Sequence, residues 1–270
     1  MYRKAGEFVM FRNELIEAAA VQLSYDYACA KEDFFSYENK VTVSRLKDGR
    51  RHFKEEEDFF KIATMGRGAV VSVNSAIMEF ASKLAKNHEG IFLFDGKGIF
   101  SINKELEKHN KTIGIISQFY LPVTPYKQIK ADGFRLKTYE YDEIHSELYR
   151  LKGFSNAIMY EDKGERRDVL AVCAVNGNSV VGMAGASSDS ERFWQIGIDV
   201  LPEYRGMGIA AALVSALTVE VFMRGAIPYY GTWSGNIASQ NVARKCGYYP
   251  AWSEMFAVDI YAEKQQSDFS

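Results

Sequence analysis

The chain has 270 residues, 47% of them hydrophobic, which is enough to bury the core of one large or two modest domains. Its formal net charge is −2 and it shows no basic footprint, so a nucleic-acid partner is not expected. The apolar runs are too short to span a bilayer and the N-terminus lacks a secretory signal layout, so no membrane partner is expected either. Three scattered cysteines fit a protein of the reducing cytoplasm.

The first 130 residues combine helical and strand patterns, which predict a small α/β domain. Apolar spacing, capping residues and runs of β-branched residues mark its elements. We expect helices over residues 12–35, 75–86 and 101–110, and strands over residues 41–45, 69–73 and 113–121. The segment 121–133 holds two prolines and a glycine and is the predicted linker between domains 1–130 and 131–270.

The second domain alternates strand and helix patterns up to residue 261. Asn176-Gly177-Asn178 is a strong hairpin signal between two of its strands. We expect strands over residues 134–139, 168–175, 179–186, 194–200, 228–233 and 252–261, and helices over residues 142–151, 207–224 and 236–247.

The most specific stretch of the chain lies at residues 195–210. An apolar strand is followed by Pro202, then by Arg205-Gly206-Met207-Gly208, then by a helix. Glycines allow backbone N–H groups to turn toward a bound oxyanion, and the N-terminus of the helix adds partial positive charge at the same place. The pattern predicts a cradle for a diphosphate.

A second interpretation of the same glycines is a dinucleotide fingerprint, because residues 206–211 satisfy Gly-x-Gly-x-x-Gly/Ala. That fingerprint needs a strand directly before it and an acidic residue about 20 positions later. Neither condition is met, since residues 225–231 contain no acid. A phosphate-free turn is the remaining alternative.

The order Val-x-Pro-x-x-Arg-Gly-x-Gly-Ile-Ala resembles the acetyl-CoA motif of the GNAT superfamily of N-acetyltransferases, with Arg205, Gly208 and Ala210 at the motif positions. The resemblance implies that the cradle holds the pyrophosphate of acetyl-CoA and that the preceding strand pairs with its pantetheine arm. The residues expected at the cofactor are Ile198, Asp199, Val200, Arg205, Gly206, Met207, Gly208, Ile209, Ala210, Asn236 and Ser239.

Asn236 and Ser239 enter this set because residues 231–248 resemble the superfamily's second signature, an Asn with a small residue three later and a Lys-x-Gly-Phe/Tyr helix end. Capping of the helix by Asn236 explains that residue equally well. Residues 182–187 and 194–200 resemble the zwittermicin-resistance-type subfamily. The resemblance implies an α/β (α+β) fold, with a mixed, mostly antiparallel sheet flanked by helices and preceded by the smaller α/β domain.

Catalytic residues are less clearly marked. Many relatives carry a Tyr acid at the position that Ala243 occupies here. Tyr229, Tyr230 and Tyr248 are possible substitutes for it, and Asp199 and Tyr230 are the catalytic candidates. A charge in an apolar strand is either buried structurally or faces the cleft, and Tyr230 also fits core packing. Asp189 and Glu191 could attract a cationic substrate, but a solvated turn is the preferred interpretation. The four histidines show no metal spacing, so no metal is expected.

These features predict an enzyme that moves an acetyl group directly from acetyl-CoA to a primary amine of a small polar molecule. The alternative is a non-catalytic acyl-CoA-binding module that acts as a sensor or scaffold. The N-terminal domain is expected to close one side of the acceptor cleft, since acceptor sites often lie at domain interfaces. A homodimer is left open.

Overall fold

The computed structural model describes residues 2–4, 7–9, 11–130, 133–162 and 164–260. Over these residues the strands and helices follow one another as β1 (Tyr2–Lys4), β2 (Glu7–Val9), α1 (Arg12–Asp26), β3 (Lys40–Val43), β4 (Phe60–Thr64), β5 (Ala69–Val73), α2 (Met78–Asn87), α3 (Gly96–Leu106), β6 (Lys111–Pro122), β7 (Arg135–Glu140), α4 (Tyr141–Glu143), β8 (Asp168–Asn176), β9 (Ser179–Ser188), β10 (Phe193–Val200), α5 (Ile209–Met223), β11 (Ile227–Trp233), α6 (Ile237–Lys245) and β12 (Tyr248–Asp259).

Ten of the strands form one sheet in the order β3-β5-β4-β12-β6-β11-β10-β9-β8-β7. The neighbours β3 and β5, and β10 and β11, run parallel, and the other neighbours run antiparallel. Helices cover this sheet, so the predicted fold class, a mixed and mostly antiparallel sheet flanked by helices, is confirmed. Among the helices of the described residues, none is both long and apolar enough to cross a membrane.

The strands of the two predicted domains interleave in this sheet. Strand β6, from the first 130 residues, lies between β11 and β12 of the second half, and β12 in turn pairs with β4 of the first half. The predicted linker is also held in place, because Val123 N donates to Gly247 O at 2.7 Å and Ile129 N donates to Ser215 Oγ at 2.7 Å. A division at residue 130 therefore stays a prediction about chain segments, and the sheet continues across it.

The two faces of the sheet carry different partners. Side chains alternate along a strand, so Ile196 and Tyr230 face α5, whereas Phe193 and Tyr229 pack in the cluster that contains α1. Helix α5 begins where Gly208 takes a left-handed φ of 81°, and its apolar residues are buried around almost the whole circumference. This buried helix holds the loop before it in a fixed position.

Several element boundaries differ from the sequence expectations for local reasons. The predicted helix 101–110 begins earlier, at Gly96, because Asp95 Oδ1 accepts hydrogen bonds from Lys97 N and Gly98 N. The predicted helix 142–151 is one turn that continues into a π-helical segment, Ile144–Leu148. The sequence analysis did not predict strand β4, whose apolar residues directly follow an acidic run. Tyr261, the predicted end of the last strand, lies outside the described residues.

Candidate active site

Strands β10 and β11 separate halfway along their length. Their parallel pairing runs from Phe193 opposite Ile227 to Ile196 opposite Tyr230 and stops there, although both strands continue. Beyond that point β10 remains paired with β9, and β11 with β6. We call the space between residues 197–200 and residues 231–233 the strand gap. Its edges offer backbone N–H and C=O groups that no neighbouring strand uses, which suits an extended chain such as a pantetheine arm.

The predicted cradle lies at the end of the strand gap. Gly206 and Gly208 both have φ of +81°, a conformation that L side chains rarely adopt, and no atom lies within 4 Å of a Cβ built on either. Ala212 N donates to Gly208 O at 3.2 Å, so the N–H groups before it have no partner within the helix. Helix α5 begins at Ile209 rather than at the predicted Met207, because Gly208 is in the left-handed region.

A cavity of about 1250 Å³ joins the cradle, the strand gap and the first half of the chain. Its lining includes ten of the eleven residues expected at the cofactor: Ile198, Asp199, Val200, Arg205, Gly206, Gly208, Ile209, Ala210, Asn236 and Ser239. Met207 is the exception and is 56% exposed. Arg205 folds back over the loop, since its Nε donates to Val200 O at 3.0 Å. The residues present therefore fit a diphosphate with a narrow extended tail.

Asp199 occupies the strand gap but is engaged by its own chain. Its Oδ2 accepts hydrogen bonds from Asn156 N at 2.7 Å and Ala157 N at 3.0 Å, and its Oδ1 accepts one from Asn156 Nδ2 at 2.8 Å. Burial raises the pKa of Asp199, and these donors oppose the rise. The arrangement favours the structural alternative stated for this residue, in which Asp199 positions the segment 154–157 against β10.

Tyr230, Ser239 and Asn236 meet at the first turn of α6. The Tyr230 hydroxyl and Ser239 Oγ are 2.8 Å apart, and burial raises the pKa of Tyr230 to about 12. Asn236 Oδ1 accepts a hydrogen bond from Ser239 N at 3.0 Å, so Asn236 does cap the helix. Tyr230 therefore keeps its proton at neutral pH beside the strand gap.

On the opposite face of the sheet a polar row crosses four strands. Asp168 pairs with Ser187, Ser187 with Gln195, and Gln195 with Tyr229 in the strand register. Asp168, Ser187 and Gln195 also line the cavity. Sequence analysis missed this row because its members are far apart in the chain, and only the register of the strands brings them together.

Asp168 is the carboxylic acid of this row. Its Oδ2 accepts hydrogen bonds from Met159 N at 2.7 Å and from the Tyr149 hydroxyl at 2.9 Å. Burial nevertheless dominates and raises the pKa of Asp168 to about 6. An acid with this pKa changes its protonation state near neutral pH, as a general base must.

The Asp168→Asn variant should have a flatter pH dependence of stability. The folded protein holds the Asp168 proton more tightly than the unfolded chain, so stability falls as pH rises from about 4 to about 6, by roughly 2–3 kcal/mol, and is level above that. Urea unfolding of both proteins at pH 4 to 7.5 measures the effect. If the free energy of unfolding varied with pH in the same way in wild type and variant, the raised pKa of Asp168 would be contradicted.

The loop before β10 is not the solvated turn that the sequence predicted. Asp189 is 0% exposed and accepts hydrogen bonds from Arg166 Nε at 2.5 Å, from Ser187 Oγ at 2.8 Å and from the Tyr229 hydroxyl. The sequence did not reveal that Asp189 is buried, because Arg166 and Tyr229, which donate hydrogen bonds to it, lie far from it in the chain. Glu191 is exposed, as the sequence predicted. Within the described part of the chain, no three His, Cys, Asp or Glu side chains are grouped as metal ligands.

Comparison with known proteins agrees with the position of these features. Residues 135–248 match the model of the acetyltransferase (GNAT) family, and no curated protein matches the chain. Similar solved structures include an acetyltransferase from the GNAT family of Colwellia psychrerythraea, at 16% identity, 57% coverage of this chain, 60% coverage of that chain and a TM-score of 0.40. Another is a GCN5-related N-acetyltransferase from Kribbella flavida, at 18% identity, 57% and 62% coverage and a TM-score of 0.42.

The alignment thus spans less than two thirds of the length of those two structures. An X-ray structure of a Drosophila protein aligns over 92% of this chain and 90% of that one, at 11% identity and a TM-score of 0.43. The matched range, residues 135–248, contains the cradle, both strands of the gap and the helix that follows each of them. Residues 135–248 are therefore similar to the acetyltransferase (GNAT) family, and the match covers this part of the chain.

Proposed function

We propose that the protein is an acetyl-CoA-dependent N-acetyltransferase that moves the acetyl group directly to a primary amine of a small polar molecule. The observation that carries the proposal is the strand gap between β10 and β11, which leads from the N-terminus of α5 through the sheet to the polar row on the other face. A narrow passage between two ends of one cavity that differ in chemistry suits a reaction between two substrates that enter from opposite sides. Placement in the zwittermicin-resistance-type subfamily rests on residues 182–187 and 194–200 and belongs to the same proposal.

Each end of the cavity has a separate role. The backbone N–H groups at residues 208–211 bind the pyrophosphate of acetyl-CoA, which when bound supplies the activated acetyl group. Tyr230, with a pKa of about 12, holds the proton that the departing sulfur needs. Asp168, on the far face, takes a proton from the incoming ammonium through water, so that the amine is neutral when it attacks.

The first half of the chain supplies the wall opposite β10. Asp26, Tyr27 and several residues between 46 and 61 line the same cavity as the polar row. We therefore place the amine acceptor between these residues and Gln195. This assignment explains why the chain carries so much structure outside the matched range.

Two measurements test the proposal. Calorimetry with acetyl-CoA should show one binding site, and detection of free thiol should show release of coenzyme A when a panel of primary amines is added. Binding without thiol release from any amine would favour the non-catalytic sensor or scaffold, which the replacement of the usual tyrosine by Ala243 makes the second candidate. Absence of binding would contradict both.

The Cys246→Ala variant should retain most of the activity. Burial raises the pKa of Cys246 to about 12, and its thiol donates to Ala211 O at 3.4 Å, so it is not the thiolate that a covalent acetyl-enzyme would need. Steady-state rates and mass spectrometry after incubation with acetyl-CoA measure the outcome. An acetylated Cys246 that amine discharges at the turnover rate would overturn direct transfer.

A further inference from the structure

Gln195 lies at the mouth of the strand gap, on the face of the sheet that carries the polar row. It is paired with Tyr229 in the strand register, one position before Ile196 and Tyr230, where the pairing of β10 and β11 ends. Side chains alternate along a strand, so Gln195 projects on the face opposite Ile196, which faces α5. Gln195 is half-buried and lines the cavity.

The next residues on this face have no side chains, and other parts of the chain close around them. In β10 that residue is Gly197, where a built Cβ would lie 1.8 Å from Asn156 O, so a loop packs directly on the strand there. In β11 it is Gly231, where a built Cβ would lie 2.8 Å from the Phe119 ring and 2.9 Å from the Gln195 amide. A molecule that reaches the gap from the polar row therefore meets this amide.

The orientation of the amide depends on the hydroxyl of Tyr229. That hydroxyl contacts both Asp189 Oδ2 and Gln195 Oε1, the second at 3.2 Å, but it has a single proton to donate. Asp189 is buried and forms an ion pair with Arg166, so its carboxylate accepts hydrogen bonds and has none to give back. Burial raises the pKa of Tyr229 well above its ordinary value, so the hydroxyl keeps its proton at neutral pH. The proton therefore points toward Asp189.

With the proton on that side, a carbonyl oxygen of Gln195 facing the hydroxyl oxygen would place two acceptors against each other. A half-turn of the amide exchanges its oxygen and nitrogen at no cost in shape, and the hydrogen bonds decide between the two orientations. In the turned orientation Nε2 donates to the Tyr229 hydroxyl oxygen, and Oε1 takes the position beside Gly231. Among the described residues, none forms a hydrogen bond with the amide atom at that position, so it is available to a ligand.

We propose that the side-chain oxygen of Gln195 binds the acceptor amine at the mouth of the strand gap, and that Tyr229 positions Gln195 for this role. The inference rests on the proposed function and adds the residue that orients the attacking nitrogen. One N–H of the neutral amine points to Gln195 Oε1, which leaves the nitrogen lone pair free to point into the gap, toward the acetyl carbonyl carbon. Gln195 neither gains nor loses a proton, so the ammonium proton goes to Asp168 through water as before.

NMR tests the orientation of the amide without any need for turnover. In protein labelled with ¹⁵N-glutamine, the side-chain NH₂ signals of Gln195 are those that disappear in the Gln195→Met variant. We expect their nuclear Overhauser effects to the ring protons of Tyr229 to be stronger than those to the Hα atoms of Gly231. The reverse order would overturn the inference, because the nitrogen would then face the gap.

The Gln195→Met variant tests the contact with the amine. It should lower kcat/KM for the amine by about tenfold, the effect of one lost hydrogen bond, and leave the affinity for acetyl-CoA unchanged. Methionine has a similar length but offers no replacement for the amide oxygen. The matched control is Gln118→Met, since Gln118 is half-buried in β6 of the same sheet but does not line the cavity. The control should leave both constants unchanged.

A double-mutant cycle separates positioning by Tyr229 from a general structural role. Tyr229→Phe removes the hydroxyl that accepts the amide proton, so it should lower kcat/KM for the amine by about tenfold in the wild-type background. The same substitution should have a much smaller effect when Gln195 is already methionine. Equal losses in the two backgrounds would overturn the positioning role, because a disturbance of the core does not depend on Gln195.

The outcomes also separate this inference from the proposed function. Thiol release with unchanged kcat/KM in Gln195→Met would support the acetyltransferase activity and overturn the contact between Gln195 and the amine. If no primary amine causes thiol release, the proposed function fails and the amine contact fails with it. Loss of acetyl-CoA affinity in Gln195→Met would likewise overturn the inference, since the defect would then not be confined to the acceptor.

Discussion

Replacing Gly208 with valine should weaken acetyl-CoA binding by more than tenfold, or about 1.4 kcal/mol. The φ of +81° at this position is strained for any L residue and most strained for a β-branched one. A Cβ here would point into space that the protein leaves empty, next to the unpaired N–H groups at the start of α5. Isothermal titration calorimetry measures the change.

The matched control is Gly225→Val at the other end of the same helix. Gly225 has φ of +80° and no atom within 4 Å of a built Cβ, so the conformational penalty is the same, but Gly225 does not line the cavity. Both variants should lose about 1–2 kcal/mol of stability, and only Gly208→Val should lose affinity. Equal affinity in the two variants would contradict the cradle.

The Asp26→Ala variant should lower the free energy of unfolding by about 3–5 kcal/mol. Asp26 and Glu254 both form ion pairs with the buried Arg51, and the substitution removes one of these two carboxylates. Asp26 Oδ1 also accepts hydrogen bonds from Arg51 N at 2.8 Å and Gln22 Nε2 at 3.2 Å, so the substitution removes several contacts at once. Urea unfolding followed by circular dichroism measures the loss.

An exposed ion pair of the same length is the control. Lys83 Nζ and Glu79 Oε1 are 2.6 Å apart, as are Arg51 Nε and Asp26 Oδ2, but the first pair lies in solvent. Glu79→Ala should leave stability unchanged within error, since water screens such pairs. Similar losses of stability in Asp26→Ala and Glu79→Ala would mean that burial does not explain the contribution of the Arg51–Asp26 ion pair to stability.

The sequence alone was sufficient where function depends on consecutive residues. The cradle, the helix behind it and the Asn176–Ser179 hairpin all follow from local signals, such as glycines that need positive φ and capping residues that precede a helix. The cap at Asn236 was also foreseen. In each case the residues that interact are neighbours in the chain, so their spacing carries the information.

The acceptor side could not be read in the same way. Arg51, Asp168 and Arg166 match no motif, and their meaning depends on strand register and on burial beneath distant elements. For Asp199, the sequence showed that a charged residue lies in an apolar strand. It did not show that Asn156 and Ala157 donate hydrogen bonds to this carboxylate, because no local pattern predicts the path of their loop.

The interleaved sheet also has a consequence for the order in which the chain can fold during synthesis. Strand β6 leaves the ribosome long before either of its neighbours, because β11 begins only at Ile227 and β12 only at Tyr248. Strand β4 waits for the same β12. Once β11 has paired with β6, one edge of β6 and one edge of β4 still wait for β12, and exposed edges recruit other chains. We expect a nascent chain that ends before β12 to depend on chaperones, and a chain truncated within α6 to aggregate more than one that extends through Asp259.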